Sequence, residues 1–226
     1  MKPWEKLGET TTPDGKSLTL NRRDTEYTIM AAGECLMSSR MPGSGEAMAT
    51  VACEGLRRAE SPCVLVGGLG MGFTLRAALD ILPPTATVVV SEMFPAVVDW
   101  NRGPLADLAR RPLDDARVQV EAQDVLVTLR AHPDRFDAVL LDVDNGPAPF
   151  ATSSNGALYG QTGLFAVRTA LTFGGILAVW SAWHEKHFPQ RLRFVGFTNV
   201  TVHRVRARLA RGGSRHTIFI AHNGEA

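Results

Sequence analysis

The run G-G-L-G-M-G at Gly67 to Gly72 joins an apolar stretch to a helical pattern, and Glu92 follows 20 residues after Gly72. Gly67, Gly68, Gly70 and Gly72 would let the backbone approach a ligand closely, beside the free N–H groups of a helix N-terminus. An acid at the spacing of Glu92 accepts hydrogen bonds from ribose hydroxyls. Two further acids close apolar strand patterns, Asp124 in E-A-Q-D and Asp142 in A-V-L-L-D-V-D-N-G-P, which also carries Asp144. The glycine loop alone fits dehydrogenases, flavoproteins and methyltransferases. Acids after three successive strands favour an adenosyl donor, whose ribose, adenine amino group and sulfonium charge all suit accepting groups; a nicotinamide enzyme has no work for Asp124 and Asp142. Asp124 also reads as the N-cap of D-V-L-V-T-L-R, a role compatible with ligand binding. Alkyl transfer from a sulfonium is an in-line displacement in which position dominates.

Alternating elements place these residues. C-V-L-V-G-G, A-T-V-V-V-S-E, R-V-Q-V-E, F-D-A-V-L-L-D and G-I-L-A-V-W-S-A read as buried strands. T-L-R-A-A-L-D-I-L, F-P-A-V-V-D-W-N-R, D-V-L-V-T-L-R and L-F-A-V-R-T-A-L read as the helices between them. Such alternation predicts a parallel sheet covered on both faces, with ligands along its carboxyl edge. V-T-V-H-R-V-R-A-R-L and H-T-I-F-I-A-H form a terminal antiparallel hairpin turned at A-R-G-G-S. Residues 1–45, with S-L-T-L-N, E-Y-T-I-M and E-C-L-M-S-S, read as a small hairpin or meander appendage, and 46–226 as the catalytic domain. A first helix over E-A-M-A-T-V-A-C has Ser44 as its expected N-cap.

At 226 residues, 45% hydrophobic and 21% charged, the chain supports one sizeable core. No apolar run reaches the roughly 18 residues of a membrane-spanning helix, and the N-terminus lacks a secretory pattern, so no membrane association and a cytoplasmic location are expected. Cys35, Cys53 and Cys63 have neither disulfide nor zinc spacing. No metal is expected, since His184 and His187 lack a third placed ligand. A net charge of +1, with the tail after Trp183 at +6 and the rest at −5, makes nucleic acid an unexpected partner. Tyr159 and Trp180, with Phe150 and Trp183 nearby, fall where aromatic rings could wall an acceptor pocket.

The run V-L-V-G-G-L-G-M-G-F-T-L-R-A-A-L, with S-E-M-F-P-A-V-V, D-A-R-V-Q-V-E-A-Q-D, F-D-A-V-L-L-D-V-D-N-G-P and A-L-Y-G-Q-T-G-L-F, resembles the spermidine synthases over about Met37 to Ala182. That resemblance implies the Rossmann-like class I methyltransferase fold, α/β with a seven-stranded mostly parallel sheet and an antiparallel last strand. It implies that Gly67, Gly68 and Gly70 line the donor, Glu92 holds its ribose, Asp124 and neighbouring Val125 face its adenine, and Asp142 lies beside the acceptor amine, which must lose a proton before it attacks; Asp142 is then its natural proton acceptor or orienting group, with its field strengthened by Asp144.

The departures bear on the substrate. Where the family's loop reads G-G-G-D-G-G, Gly70 replaces the acid that meets the aminopropyl amine. G-S-G-E stands for the family's Y-H-E and keeps only Glu46, on the acceptor side. D-V-D-N-G-P stands for its D-S-S-D-P. The expected function is therefore transfer of an alkyl group from S-adenosylmethionine or decarboxylated S-adenosylmethionine to a small-molecule amine. Methyl transfer is preferred because of Gly70; polyamine aminopropyl transfer and a silent adenosyl-binding protein are the alternatives. A homodimer is expected.

Overall fold

The computed structural model describes residues 2–12, 15–143, 146–147, 153–207 and 214–224. Four antiparallel strands open the chain, β1 (Glu5–Thr11), β2 (Ser17–Arg23), β3 (Glu26–Ala31) and β4 (Glu34–Ser38), paired in sequence order. The appendage is thus a four-stranded meander, one strand longer than the sequence indicates. β1 escapes sequence reading because E-K-L-G-E-T-T lacks apolar alternation. It is a charged edge strand, with Arg22 to Glu5 at 2.8 Å and Lys6 to Glu9 at 2.6 Å.

Helix α1 (Gly43–Cys53) leads into the main sheet. Then follow β5 (Cys63–Gly67), α2 (Phe73–Ile81), β6 (Thr87–Ser91), α3 (Pro95–Arg102), β7 (Val118–Glu121), α4 (Val125–Ala131) and β8 (Phe136–Leu141). The chain continues through α5 (Ser153–Leu158), α6 (Gln161–Ala170), β9 (Leu171–Ser181), α7 (Phe188–Val195), β10 (Thr198–Arg206) and β11 (Arg215–His222). The seven strands lie in the order β10-β11-β9-β8-β5-β6-β7. β5, β6, β7, β8 and β9 pair in parallel, while β11 runs antiparallel to both β9 and β10. This is the mostly parallel sheet with a reversed last strand that the alternation and terminal hairpin imply.

Both faces of each central strand are apolar because helices cover both. Val64, Val66, Val88, Val90, Ala138 and Leu140 face one layer, with Met48 of α1, Leu75 of α2 and Val98 of α3. Leu65, Val89, Val139 and Leu141 face the other, with Leu129 of α4, Leu164 of α6 and Leu192 of α7. Leu18, Leu20 and Ile29 of the N-terminal meander join the first layer. Strand order reverses at β5, whose neighbours are β6 and β8, so the crevice outside its carboxyl end is the expected ligand position.

Two local differences have clear causes. α1 begins at Gly43 with Pro42 at its cap, so Ser44 lies inside the first turn and is not the N-cap; its hydroxyl is directed to His216 instead, at 2.9 Å. β9 begins at Leu171, before the apolar run that marks it in the sequence, because Leu171 pairs with Phe136 of β8 ahead of a break in register, where Gly174 N–H donates to the Asn223 carbonyl and Asn223 N–H to the Gly175 carbonyl. The Asn223 side chain donates to the carbonyls of Arg168, Leu171 and Thr172 at 3.2, 3.0 and 3.1 Å. Replacing Asn223 with Ala leaves these acceptors without it and is expected to cost about 1–3 kcal/mol of stability, read by urea unfolding. An unchanged midpoint would show that the α6–β9 junction does not depend on this tie.

Candidate functional site

The glycine loop is shaped by contacts that exclude a side chain. At Gly68, with φ of 87°, a Cβ would strike the Asp142 carbonyl, so the loop after β5 and the end of β8 are pressed backbone to backbone. Asp142 N–H donates to the Gly67 carbonyl at 2.8 Å, locking the same junction. Below Gly67 lies Val125, whose Cγ2 would be 2.8 Å from an added Cβ. Gly72 caps α2, and Asn101 of α3 donates from Nδ2 to the Gly70 carbonyl at 2.8 Å.

Glu92 is buried immediately after β6. Its two carboxylate oxygens accept N–H groups at 2.9 Å each, Oε2 from Leu69 in the glycine loop and Oε1 from Phe94 before α3. These bonds brace the glycine loop against the start of α3. Asp124 is the N-cap of α4, accepting the Leu126 N–H at 2.7 Å, as its alternative reading allowed. Its turn is held by a network that the sequence reading missed. Glu121 accepts from Thr128 at 2.6 Å and Gln123 at 2.8 Å, and Ser91 donates to the Gln123 carbonyl at 2.9 Å. No motif signals it, because its members are ordinary polar residues joined only by the fold.

Asp142 follows β8 at the crevice. Thr74, in the first turn of α2, donates to its Oδ2 at 2.6 Å. Burial pushes the Asp142 carboxyl above the usual carboxylate range, and the Thr74 hydrogen bond only partly opposes this. α1 closes the same side: a Cβ on Gly45 would strike Thr74 Oγ1, and half-buried Glu46 follows in the same helical turn. Trp180, next to last in β9, is half-buried with its ring edge-on to His216 at 4.8 Å. Asp144 and Phe150 lie outside the described residues. Tyr159 requires correction as a pocket wall: it is 1% exposed, edge-on to Phe188 at 5.9 Å within the second core layer. Its neighbours are apolar residues from α6 and α7, the ordinary fate of a large aromatic side chain.

Gly70 has φ of 52°, and a side chain there would find Met37 of β4 in its way, with Cε at 2.6 Å and Sδ at 2.9 Å from a Cβ. The N-terminal meander thus places a thioether over the middle of the glycine loop. No sequence pattern linked these two residues.

Together these elements set Glu92, Asp124 and Asp142 along one edge, after β6, β7 and β8, around a close-packed loop. No helix among the described residues is long and apolar enough to cross a membrane.

Comparison with known proteins gives the same direction. No family model matches the chain. Polyamine aminopropyltransferases of Mycobacterium tuberculosis and Mycobacterium bovis are each 33% identical over 126 residues, 54% of this chain. The match covers 22% of those relatives' length. Spermidine synthase from Thermotoga maritima superposes with a TM-score of 0.75 at 16% identity, covering 98% of this chain and 74% of that one. A probable spermidine synthase from Corynebacterium glutamicum gives 0.66 at 16% identity, covering 99% and 81%. The chain is similar in sequence to polyamine aminopropyltransferases over about half its length and shares the Rossmann-like fold of the spermidine synthases. The relatives' names match aminopropyl transfer, the alternative in the sequence reading, and lend nothing to its preference for methyl transfer.

A carboxyl group whose ionisation is opposed by burial destabilises the fold when charged. For Asp142 the folded pKa lies above the ordinary 3.8, so this penalty is absent well below 3.8, grows as pH rises from 3.8 to the folded value, and is full above it. Asp142→Asn is therefore expected to unfold at higher denaturant than the parent at neutral pH, with the gap closing as pH falls toward 3.8. Parallel urea titrations at neutral and acid pH check this; a variant weaker at neutral pH would refute it.

Proposed function

We propose that this protein transfers an aminopropyl group from decarboxylated S-adenosylmethionine to a small aliphatic amine. The position of Asp142 carries this reading: a desolvated carboxyl group at the switch point of the sheet, touching the glycine loop on one side and, through Thr74, the first turn of α2 on the other, where α1 packs against Thr74. The named activity of the relatives supports the aminopropyl group as the one moved.

In such a transfer the amine nitrogen attacks the donor carbon bound to sulfur. The C–N bond forms as the C–S bond breaks, the thioether leaves with the bonding pair, and one proton departs from nitrogen. Holding nucleophile and carbon in line supplies up to about 7–11 kcal/mol of the acceleration. In this reading Glu92 binds the ribose of the donor, Asp124 and Val125 flank its adenine, and Gly67, Gly68, Gly70 and Gly72 let its tail lie against the backbone. Asp142 accepts the amine's proton or orients its N–H, and its raised pKa brings proton affinity closer to that of the amine. Glu46 and Trp180 lie on the acceptor side, the first offering charge and the second a flat apolar surface. The homodimer and the cytoplasmic setting complete the proposal.

One observation favours methyl transfer as a second reading. The group nearest Gly70 is the Met37 thioether, which gives a cationic aminopropyl tail no ionic partner. Donor preference decides between the two. Calorimetric titration is expected to show tighter binding of decarboxylated S-adenosylmethionine than of S-adenosylmethionine, with mass spectrometry detecting an aminopropylated amine; the reverse order with a methylated amine would establish the second reading. Asp142→Asn is expected to keep donor affinity while lowering turnover at least about tenfold. Unchanged turnover would remove Asp142 from the chemistry.

A further inference from the structure

His216 carries no motif, yet the fold brings it to the same edge as Asp142. β11 pairs with β9 so that Thr217 lies opposite Ser181 and Ile218 opposite Trp180. His216 therefore stands one residue past the carboxyl end of β9. It shares a sheet face with Ile218, whose side chain belongs to the core layer under α1.

The first turn of α1 is fixed from both sides. Gly43 N–H donates to the Ala207 carbonyl at 3.1 Å, and the Ser44 hydroxyl is 2.9 Å from His216 Nδ1. Gly45, next in the chain, abuts Thr74, which holds Asp142. One helical turn thus lies between His216 and the Thr74–Asp142 pair, with Glu46 following it. The imidazole is half-buried, as is Trp180 against whose ring it rests, and its Nε2 has no hydrogen-bond partner among the described residues.

We propose that His216 Nε2 is a ligand of the acceptor, receiving an N–H of an aliphatic amine whose methylene chain lies along Trp180. The inference rests on the amine-acceptor half of the proposed function. An attacking amine must keep its lone pair for the donor carbon, so the group that holds it has to accept one of its N–H bonds. A neutral imidazole does this when its proton is on Nδ1, donated to Ser44 Oγ. Burial lowers the His216 pKa, which keeps the ring neutral and accepting at neutral pH. The indole face offers van der Waals contact to methylenes and attraction to a cationic nitrogen.

The test is calorimetric titration of 1,4-diaminobutane into the full chain, with and without saturating methylthioadenosine, for the parent, His216→Gln and Ser44→Ala. In parallel, the 15N resonance of His216 Nε2 is followed in the parent protein. Loss of a hydrogen bond to a charged or reacting amine should weaken diamine binding at least about tenfold in His216→Gln. Methylthioadenosine affinity should hold, and the Nε2 resonance should move on diamine addition. Ser44→Ala, which frees the tautomer, should weaken diamine binding less.

Equal diamine affinity in His216→Gln, or an Nε2 resonance unmoved at saturating diamine, would overturn the proposal. So would a parent that binds methylthioadenosine and no diamine, a result that leaves the donor site intact. If the parent bound the diamine through His216 and no adenosyl compound, the transferase reading would fail while this assignment stood. Should His216→Gln not fold, the Nε2 resonance and Ser44→Ala still decide.

Discussion

A buried carboxylate braces the whole candidate site. Glu92 spans the gap between the glycine loop and the start of α3 by accepting the N–H groups of Leu69 and Phe94. Backbone donors in a water-poor turn are costly to leave unmade, and charge-assisted bonds to them are stronger than neutral ones. The loop's path therefore depends on an acid at this position. Once it is set, Gly68 can press against the Asp142 carbonyl and Asn101 can reach the Gly70 carbonyl. The residue with the strongest sequence case for meeting a ribose is also a fastener of the protein to itself.

Much of the main sheet was legible because its physics is local. A central strand covered on both faces must be apolar at every position, and V-L-V-G and A-V-L-L show this without any partner in view. Reversal of the last strand was legible in the period-two pattern of the terminal hairpin. What escaped was structure made by distant pairing. β1 has no apolar face to announce it, and the early start of β9 is set by Leu171 pairing with Phe136 of β8. Ser44 misled for a related reason. A serine before a helical run is a good cap, but the hydroxyl found His216, 172 residues on, and Pro42 took the cap position without a side-chain bond.

The site divides along the same line. Glu92, Asp124 and Asp142 were legible because the ends of parallel strands converge, and a strand's end can be read from sequence. Thr74, Asn101, Met37 and His216 were not, since each acts through a contact that only the folded chain creates. Tyr159 shows the converse error: a segment beside the site in sequence does not put its ring there, and α6 and α7 enclose it. Among these, Met37 bears most on specificity. Gly70 could be read as a lost acid, but the structure adds that the space is covered by a flexible thioether from the meander. Such a side chain yields at its far end, so the cover is adjustable.

The opposed tendencies of Asp142 and His216 give the edge its chemical character. Burial acts on both, and in each case it disfavours the charged form: the acid is pushed toward its proton and the imidazole away from one. The two groups flank one helical turn, each less strongly hydrated than it would be on an open surface. A fully hydrated carboxylate would attract a cationic substrate more strongly and draw its proton less readily, because its own proton affinity is lower. Desolvation costs fold stability and brings the proton affinities of protein and amine closer together. The packing of Gly45 against Thr74 maintains that arrangement, since a larger residue there would separate α1 from α2 and admit water to Asp142.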